Sequence, residues 1–232
     1  MRRPGSIQRS TRLKLGYVVA AATDTWLSGR AGPWAHRARY LTKPTLMPLL
    51  ASSLALNPRA ADSPLRTTTL LAQVGGFGGD VALLRSGRKP FLVGAGSFGV
   101  GHVAYVGGFL RHRDRSPARA DRAVQVVAGS WALTAPLMAG LAAREHRELG
   151  GPVLGYATLL AAMAAAAGHL DPDLPPAARR LTAAGAALFM ISDTILGLRK
   201  FALTDPPPAL ERAVMATYTA GQFLLSEGAA HA

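Results

Sequence analysis

The stretch "LLAQVGGFGGDVALL", residues 70–84, decides how this chain is read. Apart from Gln73 and Asp80 it holds only apolar residues and glycine. A second run, "ALFMISDTILGL" at 187–198, encloses Asp193 in the same way. A soluble domain alternates apolar and polar residues along its elements. Here charges gather in short clusters between long apolar blocks. The 232 residues are 49% hydrophobic and 17% charged. The mean hydropathy of +0.18 understates the blocks, because alanine and arginine-rich connections dilute it. The pattern is that of a membrane protein.

Blocks near 13–28, 41–57, 67–84, 91–110, 123–142, 151–168, 180–198 and 210–228 each approach the roughly 20 residues a helix needs to cross a bilayer. The expectation is an all-α, polytopic membrane helix bundle of about eight transmembrane helices. Residues 1–232 read as a single integral membrane domain, with 1–12 as a basic tail. Connections such as "NPRAADSPLR", "RSGRKP" and "TDPPPALER" are short and carry Pro, Gly or Arg. The start has the basic flank and apolar run of a signal peptide, with "AAA" near Ala22 as a cleavage site. A retained first helix is the preferred reading, because the rest of the chain is itself membrane-embedded.

A formal charge of +13 raises nucleic acid as a partner. The arginines flank apolar blocks without interleaved aromatic residues, so anionic lipid is the expected partner and nucleic acid is not. With the N-terminus inside, fourteen basic residues fall on the cytoplasmic face and twelve on the other. The expected setting is a bacterial cell membrane with the N-terminus in the cytoplasm. Cysteine is absent, which excludes disulfides and thiolate metal sites.

An ionised side chain at a helix centre costs on the order of 2.5–3.5 kcal/mol. Asp80 and Asp193 are therefore expected to face a cavity or a partner. Asp24 and Glu227, nearer block ends, read as interfacial charges. Ser97, His102 and Tyr105 share the fourth block; His102 and Tyr105 lie on one helical face. Tyr156 opens the sixth block, Ser192 adjoins Asp193, and Tyr218 and Gln222 share a face of the eighth. Lys43 precedes Pro44 at the start of the second block, where proline suits a first helical turn. Each has a plainer role: tyrosine in an interfacial belt, Ser and Gln as interhelical hydrogen bonds, Lys43 among headgroups. For the aspartates the plainer role is pairing with Lys43, Arg199 or His102. Asp80 and Asp193 are each followed by tyrosine at +25, Tyr105 and Tyr218. An offset of 113 residues would place four helices in each half, a possible parallel 4+4 pseudo-repeat.

Two carboxylates in an apolar pocket suit acid–base chemistry, one holding a proton while the other stays ionised. Reactions through an oxocarbenium-like state use such a pair. There is no G-x-S-x-G elbow, H-E-x-x-H, P-loop or dinucleotide fingerprint. His102, Asp80 and Asp193 are a poor zinc set, and no metal is expected.

The segments "KPTLMPLL" at 43–50, "GGDVALL" at 78–84, "GAGSFGVGHVAYVGGF" at 94–109, "GAALFMISDTILGLRKF" at 185–201 and "TYTAGQFLLSEG" at 217–228, with Pro136 and Tyr156 between them, resemble the YhhN family in order and spacing. That family includes lysoplasmalogenases. The resemblance implies an eight-helix membrane enzyme that hydrolyses the vinyl ether bond of lysoplasmalogen without a cofactor, releasing fatty aldehyde and a glycerophospho-amine. The family's two intramembrane aspartates fall on Asp80 and Asp193. Lys43, His102, Tyr105, Tyr156, Ser192, Tyr218 and Gln222 are the expected substrate-binding residues, with a lysophospholipid and membrane lipids as partners. Two other classes stay open: a proton-coupled transporter or lipid-translocating protein using the same aspartates, and a structural membrane protein in which they only pair with bases.

Overall fold

The computed structural model describes residues 4–232, with side chains from Ile7 onward. Eight α-helices follow one another: α1 Pro4–Ser28, α2 Pro33–Ala55, α3 Arg66–Ala82, α4 Arg88–Arg111, α5 Arg122–Glu145, α6 Gly150–Gly168, α7 Pro176–Phe201 and α8 Pro208–His231. Single 3₁₀ turns lie in three of the connections, and no strand is present among the described residues. Proline stands in the first turn of α2, α7 and α8, where its missing N–H costs nothing. Gly32 and Gly87 precede α2 and α4 with φ of 113° and 112°, a backbone conformation that a Cβ disfavours.

Six helices lie within a few residues of the expected blocks. The first two begin earlier. Most of the basic stretch 1–12 is helical from Pro4, and α2 starts at Pro33 rather than near 41. The reading of Lys43 and Pro44 as a first turn is therefore corrected. Pro44 and Pro48 lie inside α2, ten or more residues from its start. Pro44 has no N–H to give the Tyr40 carbonyl one turn back. The polar "HRAR" at 36–39 hid this turn, because α2 runs past its apolar part.

Four helices are long and apolar enough to cross a membrane: α4, α5, α6 with its preceding 3₁₀ turn, and α7. The other four carry more polar residues, several of which are paired inside the bundle, while the buried Gln73 of α3 has no hydrogen-bond partner. Tyr17 of α1 donates to the Thr219 carbonyl of α8 at 2.8 Å, and Ser10 to the Ser53 carbonyl of α2 at 2.8 Å. Lys14 meets Glu227 at 2.5 Å. Asp24 is fully buried, receiving Thr42 at 2.6 Å and Arg39 at 3.2 Å. Neither acid is a free interfacial charge. The early start of α2 brings Arg39 beside Asp24, a pairing the assumed block boundary concealed. Outward faces carry exposed apolar side chains, among them Val19, Leu41, Val74, Val100 and Leu133, as lipid contact requires.

Helices α1–α2, α3–α4, α5–α6 and α7–α8 pair as antiparallel hairpins, and α4 packs on α6; the closest hairpins are α3–α4 and α7–α8. In the latter, a methyl on Gly185 would stand 2.7 Å from the Leu225 nitrogen and 2.8 Å from the Gly221 carbonyl, so only glycine allows the approach. Helix α8 packs on α7, α1, α2 and α3 and is the most enclosed. Helix α5 is peripheral; only Ala135, Met138 and Ala142 are buried.

At the end of the bundle where α1 begins, two connections are clamped together. Arg113 and Leu170 form an isolated antiparallel bridge. His169 Nδ1 lies 2.9 Å from Asp121 Oδ2, and its Nε2 3.2 Å from the Ser116 carbonyl. Both ring nitrogens face acceptors, which suits the imidazolium. The bond to Asp121 holds His169 above its ordinary range and Asp121 below its own.

Candidate functional site

Asp80 stands two residues before the end of α3, and Asp193 eight before the end of α7. Both therefore lie toward the end of the bundle opposite the His169 clamp. They line one cavity of about 130 Å³. Its walls come from α4 (Phe91, Ala95, Phe98), α5 (Trp131, Thr134, Met138), α6 (Tyr156, Leu160) and α8 (Met215, Tyr218), with Lys43 from α2. Apolar groups dominate. The space reaches the bundle surface at the exposed Pro152.

Around Asp80 the partners come from two other helices, α8 and α2. Tyr218 donates its hydroxyl to Oδ2 at 2.8 Å. Lys43 Nζ lies 3.7 Å from Oδ1, which has no hydrogen-bond partner in the protein. Asp80 is 1% exposed and Lys43 7%. Lys43 is thus a buried counter-charge, which corrects its plainer reading as a headgroup lysine. Removing either partner would leave the other charge unpaired in a medium that solvates it poorly.

Asp193 has a different neighbourhood. Tyr156 donates to its Oδ2 at 2.5 Å, and His102 Nε2 lies 3.1 Å from the same hydroxyl. The hydroxyl has one proton; directed at Asp193, it leaves a lone pair for Nε2–H of His102. This assigns the tautomer from the network. The remaining nitrogen, Nδ1, is buried without a partner. No lysine, arginine or histidine lies within 4 Å of the Asp193 carboxylate among the described residues. The chain is Asp193–Tyr156–His102, running from α7 through α6 to α4.

Between the two corners stand aromatic rings that the sequence reading did not single out. Phe98 and Phe189 meet Tyr218 edge-on, with centroids 5.7 and 5.4 Å away. His102 packs on Phe189 at 4.9 Å. Phenylalanine in an apolar block gives no signal of its own. Its importance comes from where the fold puts it.

Of the residues expected to bind substrate, Lys43, Tyr156, Ser192 and Tyr218 line the cavity with the two aspartates. Ser192 spends its hydroxyl on the Val214 carbonyl at 3.0 Å, tying α7 to α8. His102 stands behind Tyr156. Tyr105 and Gln222 bond each other at 3.3 Å and do not line the cavity. Each lies one turn farther from the cavity end than His102 or Tyr218. Helical spacing gave their face but not their depth. The +25 tyrosines differ in partner: Tyr218 meets Asp80, whereas Tyr105 meets Gln222. Among the described residues no group of three or more His, Cys, Asp or Glu is placed to hold a metal ion.

Chemically, the cavity offers two carboxylates on separate helices, one buffered by a cation and one by a phenol–imidazole pair, in apolar surroundings. It suits proton transfer to an apolar molecule followed by stabilisation of a cation.

No curated protein and no solved structure matches the chain. The family model described as the YhhN family matches residues 38–229, so the chain belongs to that family.

Proposed function

We propose that this YhhN-family membrane protein hydrolyses the vinyl ether bond of lysoplasmalogen, giving a fatty aldehyde and a glycerophospho-amine. The observation that carries the reading is the pair Asp80 and Asp193 facing one largely apolar cavity, each under a tyrosine hydroxyl.

Asp193, in its acid form, transfers a proton to the outer carbon of the C=C–O unit. The electron pair of the double bond takes the proton, and the ether oxygen shares the positive charge as an oxocarbenium ion. The Asp193 carboxylate formed is held by Tyr156, which His102 orients. Asp80 stays ionised beside Lys43 and faces the cation, stabilising it electrostatically. It then takes a proton from the water that adds to the carbon bearing oxygen. The hemiacetal collapses: Asp80 returns its proton to the glycerol oxygen as that C–O bond breaks, the Asp193 carboxylate takes the proton of the hemiacetal hydroxyl, and the aldehyde leaves with both carboxyls restored. Phe98 presents a ring to the same space, which favours a nearby cation. The assignment of acid and base rests on the Lys43 charge standing beside Asp80 alone. The opening at Pro152 gives a single alkenyl chain a sideways route from the bilayer. With the N-terminus in the cytoplasm, the cavity end of the bundle faces away from it.

The test is aldehyde release from a lysoplasmenyl lipid by the detergent-purified protein. Release at a rate proportional to enzyme is expected. No release with choline or ethanolamine headgroups, together with lipid or proton movement in sealed liposomes, would replace the hydrolase by a transporter.

A further inference from the structure

At the cavity end, where α1, α3 and α7 finish and α2, α4 and α8 begin, lies a second space of about 400 Å³. Arg30, Arg39, Lys43, Arg85, Arg199 and Lys200 line it, and Glu211 is its one lining carboxylate. Three of these cations are already engaged. Arg39 holds Asp24 and Glu211, Arg199 holds Glu211 at 2.8 Å, and Lys43 faces Asp80. Arg30, Arg85 and Lys200 have no carboxylate within 4 Å among the described residues.

Two of these three are positioned by aromatic faces, which hold a cation without neutralising it. The Arg30 guanidinium lies 4.4 Å from the Trp26 ring, and Lys200 Nζ 4.9 Å from the Phe91 ring. The vestibule thus concentrates uncompensated positive charge contributed by three separate helix ends. An anion is the ligand such a field attracts. Lys43, Leu83, Phe91, Val214 and Met215 line both this vestibule and the apolar cavity. One amphiphile can therefore occupy both, its anionic head in the vestibule and its chain among α4–α7.

A headgroup amine finds no counterpart here. The lining carboxylate, Glu211, is taken by two arginines, and the surrounding field repels a second positive charge. We infer that the vestibule is a phosphate site for the head of a single-chain lipid and ignores the amine, so that a phosphomonoester head binds more tightly than a phosphoethanolamine or phosphocholine head. The placement of the chain rests on the hydrolase reading; the anion site rests on the vestibule alone.

The experiment uses saturated 1-O-alkyl lysolipids, which lack the vinyl ether and cannot turn over. Binding of the three headgroups to the full chain in non-ionic detergent is followed by tryptophan fluorescence, since Trp26 touches Arg30. The phosphomonoester is expected to bind about tenfold more tightly than either zwitterionic head. The triple variant Arg30→Gln, Arg85→Gln, Lys200→Gln should lose that preference. Arg30 and Arg85 are exposed, so their replacement leaves the core untouched. Arg111→Gln, at the far end of α4, should keep the preference. Inorganic phosphate and glycerol 3-phosphate should displace the lipid only at far higher concentration; either one binding as tightly as the lipid would make this a free-phosphate site and overturn the lipid assignment. Equal affinity for the three heads, or an unchanged triple variant, would overturn the anion site. Headgroup preference without aldehyde release from the vinyl ether analogue sinks the hydrolase and spares the vestibule. Release without preference does the reverse.

Discussion

Asp80 and Asp193 are alike in sequence and unlike in surroundings. Asp80 is held by a buried lysine and by Tyr218, and one of its oxygens lacks a hydrogen bond. Asp193 has no cation beside it and leans on a neutral phenol backed by an imidazole. Two carboxylates in one cavity that shared both neighbours would compete for the same protonation state. Unequal neighbours separate their tasks. In the proposed mechanism the lysine, more than either aspartate, divides the labour.

The sharpest way to break this comparison is to neutralise each acid. Asp193→Asn and Asp80→Asn should each lower aldehyde release by ~10²-fold or more, as loss of a general acid or base does. Only Asp80→Asn should also lower the melting temperature, because it strands the buried Lys43. Equal melting of the two variants would remove the distinction.

Next comes Lys43→Met, which leaves Asp80 without its counter-charge. Thermal or denaturant unfolding should show a loss of about 3–5 kcal/mol. Adding Asp80→Asn should restore most of it, whereas adding Asp193→Asn should not. A double variant no more stable than the single would mean that the pair does not act as a unit.

Tyr156→Phe removes the bridge between His102 and Asp193 without unpairing a charge. Its kcat should fall about tenfold, equivalent to ~1.4 kcal/mol of barrier, with folding retained. An unchanged kcat would take His102 out of the proposed chemistry.

The smallest effect lies outside the cavity and serves as the control. The raised His169 contributes stability in full below its ordinary 6.5 and loses it as pH climbs through its higher folded value. The lowered Asp121 contributes above its ordinary 3.8 and loses it as pH falls through its lower folded value. Between those ordinary values both contributions stand. His169→Gln should lower the melting temperature there by about 2 °C, an effect that fades as the medium is made alkaline, and leave the ratio of Asp80 to Asp193 effects untouched.

The apolar runs made α3 to α8 readable to within a few residues, because hydrocarbon demands continuous apolar length. The start of α2 was not readable, since "HRAR" looks like a connection until Asp24 is seen to receive Arg39. The acids and the two tyrosines that touch them stood out as polar groups in apolar blocks. Depth did not: Tyr105 and Gln222 share faces with cavity residues and still lie one turn too far away. Phe98 and Phe189 gave no signal, being ordinary members of their blocks. The vestibule is assembled from residues as distant in sequence as Arg30 and Lys200, and only the closed bundle brings them together.

The distribution of apolar character has a consequence for biosynthesis. Helices α1, α2 and α3 leave the ribosome before any of the four strongly apolar ones and are poorer substrates for insertion on their own. Several of their polar groups, Lys14, Tyr17 and Asp80 among them, gain a partner only when α8, the last to be made, docks against all three. Tyr218 then reaches Asp80, and Thr219 receives Tyr17. The nascent chain therefore carries one aspartate without its tyrosine until α8 has been made, so the cavity is complete only when α2 through α8 have come together.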